Sequence, residues 1–263
     1  MKFGLPGITK KQMQEVDRLM IEEYQIPVEL MMEHAGLNLA RLAVNMTNNK
    51  RYTIQIIAGS GNNGGGGLVA ARRLVCWGLK TEVFLPKGEE SLLDVPMKQL
   101  MRLRKIGASI FDGIPLASTS NNSKNLVFDC YIGYGFRNRS NELSNQVFSY
   151  LRNQKEVISL DTPSGFDVST GVDSGKIKPS ATLTIAFIKQ GLLKAPKDTI
   201  GDLYLVDIGV PSILYRKKLG IEWSPPFDLQ ELEKLKEAFS RDSLQRVSIH
   251  KQVDINQTYW RVN

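Results

Sequence analysis

The sequence predicts an α/β protein in which a mostly parallel sheet lies between layers of helices. Three observations predict it. Short β-branched runs alternate with runs of helical period between Thr53 and Gly209, as strand–helix–strand units do. Several of the strand-like runs end in loops rich in glycine and polar residues, as strands do where an open α/β sheet carries its ligands. A chain of 263 residues that is 42% hydrophobic suits one large domain, or one domain with an appendage.

The elements follow in order. Thr9 with Gln12 reads as a capping box, opening a helix over "QMQEVDRLMIEEY". A second helix covers "VELMMEHAGLNLARLAVNM", with Gly36 placed for close packing. The strand "YTIQIIAG" comes next, then a helix over 65–77, the strand "TEVFLP", a helix over 94–106 and "ASIFD". "NLVFDCYIG" is followed by a helix near 141–153, then "EVISLDTPSG", "ATLTIAF" and "GDLYLVDIG". After Val210-Pro211 the character changes. "WSPPFD" reads as a turn or linker, "LQELEKLKEAFSR" as a short amphipathic helix, and "VSIHKQVDINQTYWRVN" has no clear period. Residues 1–215 are therefore expected to form one domain, and 216–263 a linker or C-terminal appendage.

Composition excludes some classes of function. No run of 18 or more apolar residues is present, so no membrane span is expected. The opening "MKFGLPGITKK" lacks the apolar stretch of a secretory leader. Two cysteines, Cys76 and Cys130, have neither metal spacing nor the look of a disulfide framework, and a cytoplasmic protein is expected. The net charge of +7 comes from scattered basic residues, with "RLRK" at 102–105 the densest cluster. That balance suits a small anionic ligand such as a phosphate ester as well as nucleic acid, and charge alone does not choose between them; no nucleic-acid partner is expected. His34 and His250 lie away from the strand ends, and neither G-x-S-x-G nor a Walker sequence occurs.

The strand ends carry the candidate chemistry. Gly59, Gly61 and Gly64 spell G-x-G-x-x-G between a strand and a helix, which makes the sandwich Rossmann-like. Bare backbone there lets an anion approach unpaired N–H groups at a helix start. The next strand ends in Lys87, where a nicotinamide dehydrogenase carries an acid. Asp129 ends its strand and precedes the open backbone of Gly133 and Gly135. Asp161 opens "DTPSG", a place for a general acid or base, though turn formation alone also favours aspartate there.

Five stretches in this order resemble a known family. They are "GSGNNGGGG" (59–67), "LPKG" (85–88), "DCYIGYGF" (129–136), "DTPSG" (161–165) and "DIGVP" (207–211), with "MMEHAG" (31–36) ahead of them. Together they resemble the NAD(P)H-hydrate epimerases, the YjeF N-terminal domain, over residues 8–215. The resemblance implies interconversion of the R and S forms of NADH and NADPH hydrated at C6 of the nicotinamide ring. The dinucleotide is then substrate, not cofactor, and a dehydratase specific for one epimer is the functional partner.

Residue by residue, the resemblance implies substrate contacts from Asn62, Asn63, Gly64, Gly65 and Gly66, and from Gly133, Tyr134, Gly135, Phe136, Arg137, Asn138 and Arg139. It implies Asp161 and Lys87 as the acid/base pair, with Asp161 also touching substrate. It implies one potassium ion held by Asn63, Asp129 and Ser164, and a homodimer. One position departs from the family pattern: Gly66 stands where the family has aspartate. "RVSIHKQ" (246–252) looks like a degraded start of the fused dehydratase found in some members. Two alternatives stay open, an NADP-linked oxidoreductase with Lys87 on the 2′-phosphate, and a catalytically weak or silent binding protein.

Overall fold

The computed structural model describes residues 7–47, 52–115, 125–137 and 141–222, and the backbone of 259–262. Two helices come first, α1 (Lys10–Glu22) and α2 (Val28–Thr47). The α1 capping box forms as expected: Gln12 N–H donates to Thr9 Oγ1 (3.2 Å) and Thr9 N–H to Gln12 Oε1 (2.9 Å). Alternation then begins with β1 (Thr53–Ala58), α3 (Asn62–Cys76), β2 (Thr81–Leu85), α4 (Asp94–Lys105), β3 (Ser109–Asp112), β4 (Asn125–Cys130), α5 (Glu142–Arg152) and β5 (Val157–Leu160). It ends with β6 (Ala181–Ile185), α6 (Gln190–Lys194), α7 (Lys197–Ile200), β7 (Asp202–Val206), α8 (Ser212–Leu219) and β8 (Tyr259–Val262).

The sheet runs β3-β2-β1-β4-β5-β6-β7-β8, with every pair parallel except β7/β8. Alternate residues of the central strands feed two different cores. Ile56, Val83, Leu85, Leu126, Phe128, Ile158 and Leu160 pack with residues of α1 to α4. Their neighbours Ile57, Phe84, Val127 and Val157 pack with Val147, Phe148 and Leu151 of α5. This is the three-layer, Rossmann-like sandwich the alternation predicts. Cys130 is buried at the end of β4 and Cys76 is exposed, and both are free thiols.

The structure differs from the expectation in three places. Helix α3 starts at Asn62, three residues ahead of the expected start at 65, so the whole glycine run lies inside it. Glycine is a poor helix former, but here packing decides. A Cβ on Gly67 would lie 2.7 Å from Cys130 Cβ, and one on Gly36 would lie 2.6 Å from the Gly66 carbonyl, where α2 crosses α3. Next, α8 runs across the expected boundary at 215, because Leu214 and Tyr215 are buried and Tyr215 packs on Phe187 with ring centres 4.9 Å apart and planes tilted by 58°. Finally, residues 259–262 of the expected appendage form an antiparallel edge strand on β7. The amphipathic helix expected at 229–241 and the "RVSIHKQ" segment lie outside the described residues.

Candidate active site

Strand order reverses at β1: β2 and β3 lie on one side and β4 on the other. The crevice beyond such a reversal is where open α/β sheets bind ligands. The loops after β1 and β4 meet there in close backbone contact. A Cβ on Gly59 would fall 1.9 Å from the Tyr131 carbonyl oxygen, and one on Gly64 would fall 1.8 Å from the Gly59 carbonyl oxygen. Those two glycines are needed for packing. Gly61, the N-cap of α3, has nothing within 4 Å of its Cβ position. It is the glycine that leaves the helix start open to an approaching anion.

Behind these loops lies a buried carboxylate. Asp129 is fully enclosed and accepts from Ser164 N–H (2.8 Å), Ser159 Oγ (2.9 Å), Ser164 Oγ (2.5 Å) and Tyr131 N–H (3.4 Å). All of these donors are neutral. Burial pushes its pKa up, while the hydrogen bonds draw it down. Both polar atoms of the Asn63 side chain are buried without a partner, as is Thr162 Oγ1. Asn63 Oδ1 lies 3.2 Å from the Cβ position of Gly133. Among the described residues no cluster of three or more His, Cys, Asp or Glu suits a metal ion. Asn63 Oδ1, the Asp129 carboxyl and Ser164 Oγ are hard oxygens, a donor type that suits an alkali or alkaline-earth cation.

The crevice opens into a cavity of about 470 Å³ between α1, α2 and the strand ends. Its charged centre is built from two three-residue turns. After β5, Thr162 N–H bonds back to the Leu160 carbonyl (2.9 Å) around Asp161, whose φ is +68°. After β6, Phe187 N–H bonds back to the Ile185 carbonyl (2.7 Å) around Ala186, whose φ is +64°. Such γ-turns are rare and strained, and strain of this kind gathers at functional sites.

The first turn aims Asp161 into the cavity and the second delivers Lys189. Lys189 Nζ donates to Asp161 Oδ1 (2.5 Å), to the Ile185 carbonyl (2.8 Å) and to Thr184 Oγ1 (3.3 Å). The lysine is wholly buried and Asp161 is 3% exposed. Asp161 Oδ2 accepts the Tyr134 main-chain N–H at 2.7 Å. An ion pair with its remaining valences met in this way tolerates burial that either charge alone would not. The N-terminal segment holds the lysine's backbone in place: Ile8 N–H donates to the Ile188 carbonyl and Gln190 N–H to the Ile8 carbonyl, each at 2.9 Å.

Half of the expected site residues meet here. Asn62, Asn63, Gly66, Gly133, Tyr134, Gly135, Asp161 and Lys87 all line the cavity. Lys87 is exposed at its rim, and the partner of Asp161 is Lys189. Gly64 and Gly65 are buried behind the wall, Gly65 with Met32 2.5 Å from its Cβ position. Phe136 turns into the core against Phe148 (6.4 Å between ring centres), and Arg137 is exposed. Asn138 and Arg139 lie outside the described residues. Asp129 and Ser164 are joined to each other beneath the site. Lys189 was not singled out from the sequence, although its signal was a lysine just past the strand "ATLTIAF".

Comparison with known proteins bears on this site. The family described as YjeF-related protein N-terminus matches residues 28–191. An NAD(P)H-hydrate epimerase of Dehalogenimonas lykanthroporepellens is 36% identical over 81% of this chain and 86% of its own length. Another, of Elusimicrobium minutum, is 30% identical over 80% of this chain and 98% of its own. A bifunctional NAD(P)H-hydrate repair enzyme of Moorella thermoacetica is 32% identical over 79% of this chain, which spans 41% of that enzyme. The crystal structure of yeast ynu0 shares the fold, with a TM-score of 0.71 over 84% of this chain and 95% of its own, at 22% identity.

Proposed function

The chain belongs to the family of YjeF-related protein N-termini, and we propose that it is an isomerase that interconverts the R and S hydrates of NADH and NADPH. The observation that carries this reading is the buried Asp161–Lys189 pair, 2.5 Å apart and facing a cavity that begins at the start of α3. The open backbone at Gly61 suits a pyrophosphate. The cavity walls of Met13, Ile21, Met31, Met32 and Ile132 suit a reduced nicotinamide ring.

The chemistry asked of the pair is proton transfer. In the hydrate, the carbon that carries the hydroxyl also carries the ring nitrogen. The C–O bond therefore breaks with help from the nitrogen lone pair, provided the departing oxygen receives a proton. The Lys189 ammonium supplies that proton, and Asp161 fixes the lysine and stabilises positive charge developing on the ring. Water then adds to the opposite face and gives up a proton, so the sum is inversion at one carbon with no redox change. We assign the acid role to Lys189 and leave Lys87 at the rim, within reach of substrate.

A potassium ion fits Asn63, Asp129 and Ser164 by chemistry: Asn63 has an amide oxygen with no partner, and Asp129 is a buried carboxyl whose hydrogen bonds come only from neutral donors. When bound, the ion would supply positive charge that fixes the loops after β1, β4 and β5. The residues at these loops then hold the dinucleotide between the α3 start and the 133–137 loop. An enzyme that dehydrates one of the two epimers is the partner reaction.

The test is turnover of a mixed R/S hydrate by the full chain in potassium buffer, with epimer ratio followed by chromatography. Equilibration of the two epimers is expected, with a loss of about 10²- to 10⁴-fold in Asp161→Asn. No equilibration by the wild-type chain, or full activity in the variant, overturns the reading.

A further inference from the structure

The reaction described above handles a proton on each face of the ring, yet the Asp161–Lys189 pair accounts for one face only. A second acid stands in the same cavity. Met13, Asp17 and Ile21 follow one another at four-residue spacing on α1, and all three line the cavity. Such spacing puts them on one stripe of the helix, so a carboxylate sits in an otherwise apolar stripe. This helix precedes residues 28–191, the segment matched to the family.

Asp17 Oδ2 accepts the Tyr134 hydroxyl at 2.5 Å. The main-chain N–H of the same tyrosine donates to Asp161, and the Lys189 ammonium stands 5.7 Å from the centre of its ring. Tyr134 thus touches both carboxylates of the cavity. A phenol that gives its hydrogen to a carboxylate turns its oxygen lone pairs elsewhere, ready to accept from water or from a substrate hydroxyl.

We infer that Asp17 is a positioning residue for the epimerisation, acting through Tyr134 as the second proton-handling group of the site. This rests on the isomerase reading. As water adds to the ring carbon, its O–H bond breaks and the proton passes to the Tyr134 oxygen. The tyrosine's own proton passes to the Asp17 carboxylate, and the phenol is left neutral. In the opposite direction Asp17 returns the proton, and the departing hydroxyl leaves as water. Burial agrees with these roles: it is the largest influence on both groups and pushes both pKa values up, so the phenol stays protonated and the carboxylate readily takes a proton.

The experiment compares wild type, Asp17→Asn, Tyr134→Phe and the double variant on R/S hydrates. Asparagine keeps an acceptor for the phenol but takes no proton. Each single variant is expected to lose about 10²-fold in kcat with KM changed by no more than about threefold, and the double variant to lose no more than either single one, as groups acting as a unit do. A merely structural tether would raise KM or lower thermal stability and leave kcat intact. Wild-type kcat in both single variants overturns the inference and leaves the isomerase reading standing. Additive losses in the double variant overturn the coupling through Tyr134. If Asp17→Asn does not fold, Tyr134→Phe alone decides the role of the hydroxyl, because wild-type kcat there overturns it. No turnover by the wild-type chain overturns the isomerase reading and this inference with it.

Discussion

The ammonium of Lys189, carried by the turn after β6, lies 2.5 Å from the carboxylate of Asp161, carried by the turn after β5. The Lys189 side chain is wholly buried and that of Asp161 is 5% exposed. Removing one member leaves the other charged and buried. Lys189→Met is expected to destabilise the fold by about 3–5 kcal/mol. Adding Asp161→Asn should recover part of that loss, a coupling that a double-mutant cycle in urea would reveal. Purely additive losses would mean that the two side chains do not depend on each other.

The glycines of the 59–67 stretch divide into two kinds. Gly64→Ala drives a methyl into the Gly59 carbonyl, which is main chain and has no room to yield. A cost of about 3 kcal/mol is expected, at the high end for a single substitution. Gly61→Ala meets nothing within 4 Å, and should change stability by no more than about 1 kcal/mol. It should nonetheless weaken dinucleotide binding, because the methyl stands where a phosphate nears the helix start. Titration calorimetry beside thermal melts separates the two effects.

Potassium is expected to raise the melting temperature, and Asn63→Ala to remove most of that response, since binding to the folded state alone stabilises it. The pH dependence has a definite sign. Asp129 has its pKa raised in the folded chain, so the folded form binds that proton more tightly than the unfolded one. Its stabilising share is therefore present at low pH and is lost as pH rises through the raised value. Asp17 and Asp173 shift the same way. In potassium-free buffer stability should fall along this limb, and the benefit of added potassium should grow as Asp129 ionises. A potassium response that is equal on both sides of the limb would argue against Asp129 as a ligand.

Gly66 lines the cavity, and its Cβ position lies 2.8 Å from Leu160 Cδ2, the tip of a flexible side chain. Gly66→Asp is therefore expected to fold, with Leu160 moving aside. The new carboxylate would sit at the cavity wall early in α3, where the helix dipole favours it by about 0.3–1 kcal/mol. Turnover is expected to rise about ten- to hundredfold, as a restored charged hydrogen bond allows. Assays at equal potassium check this, and an unchanged or slower rate would show that glycine suits this cavity better.

How much of this was legible in the sequence depends on which residues are considered. Strand and helix alternation was plain, and looking at strand ends led to Asp129, Asp161 and Ser164, because in a parallel sheet those ends share one edge. The same rule stops one turn short of Lys189. Its place depends on a γ-turn at Ala186, a residue with no preference for positive φ, so nothing local announces it. Asp17 was hidden for a different reason. One acid in an amphipathic helix usually faces water, and only the packing of α1 over the strand ends turns it inward. Phe136 shows the converse: a loop residue grouped with ligand contacts goes to the core, because α5 offers it Phe148. The edge strand β8 is four residues long, too short for a period to show, and its pairing is a property of β7's open edge.

The parallel bridge between Ile8 and Lys189 joins segments near opposite ends of the domain. Contacts between residues so distant in sequence form late, because a long loop must close before they are rewarded. Strands β4, β5 and β6 are neighbours both in the chain and in the sheet, and have no such delay. On this ordering the sheet is expected to form before its lysine is fixed, so recovery of activity should lag recovery of circular dichroism during refolding; coincident recovery of the two would show that the sheet and the bridge form together.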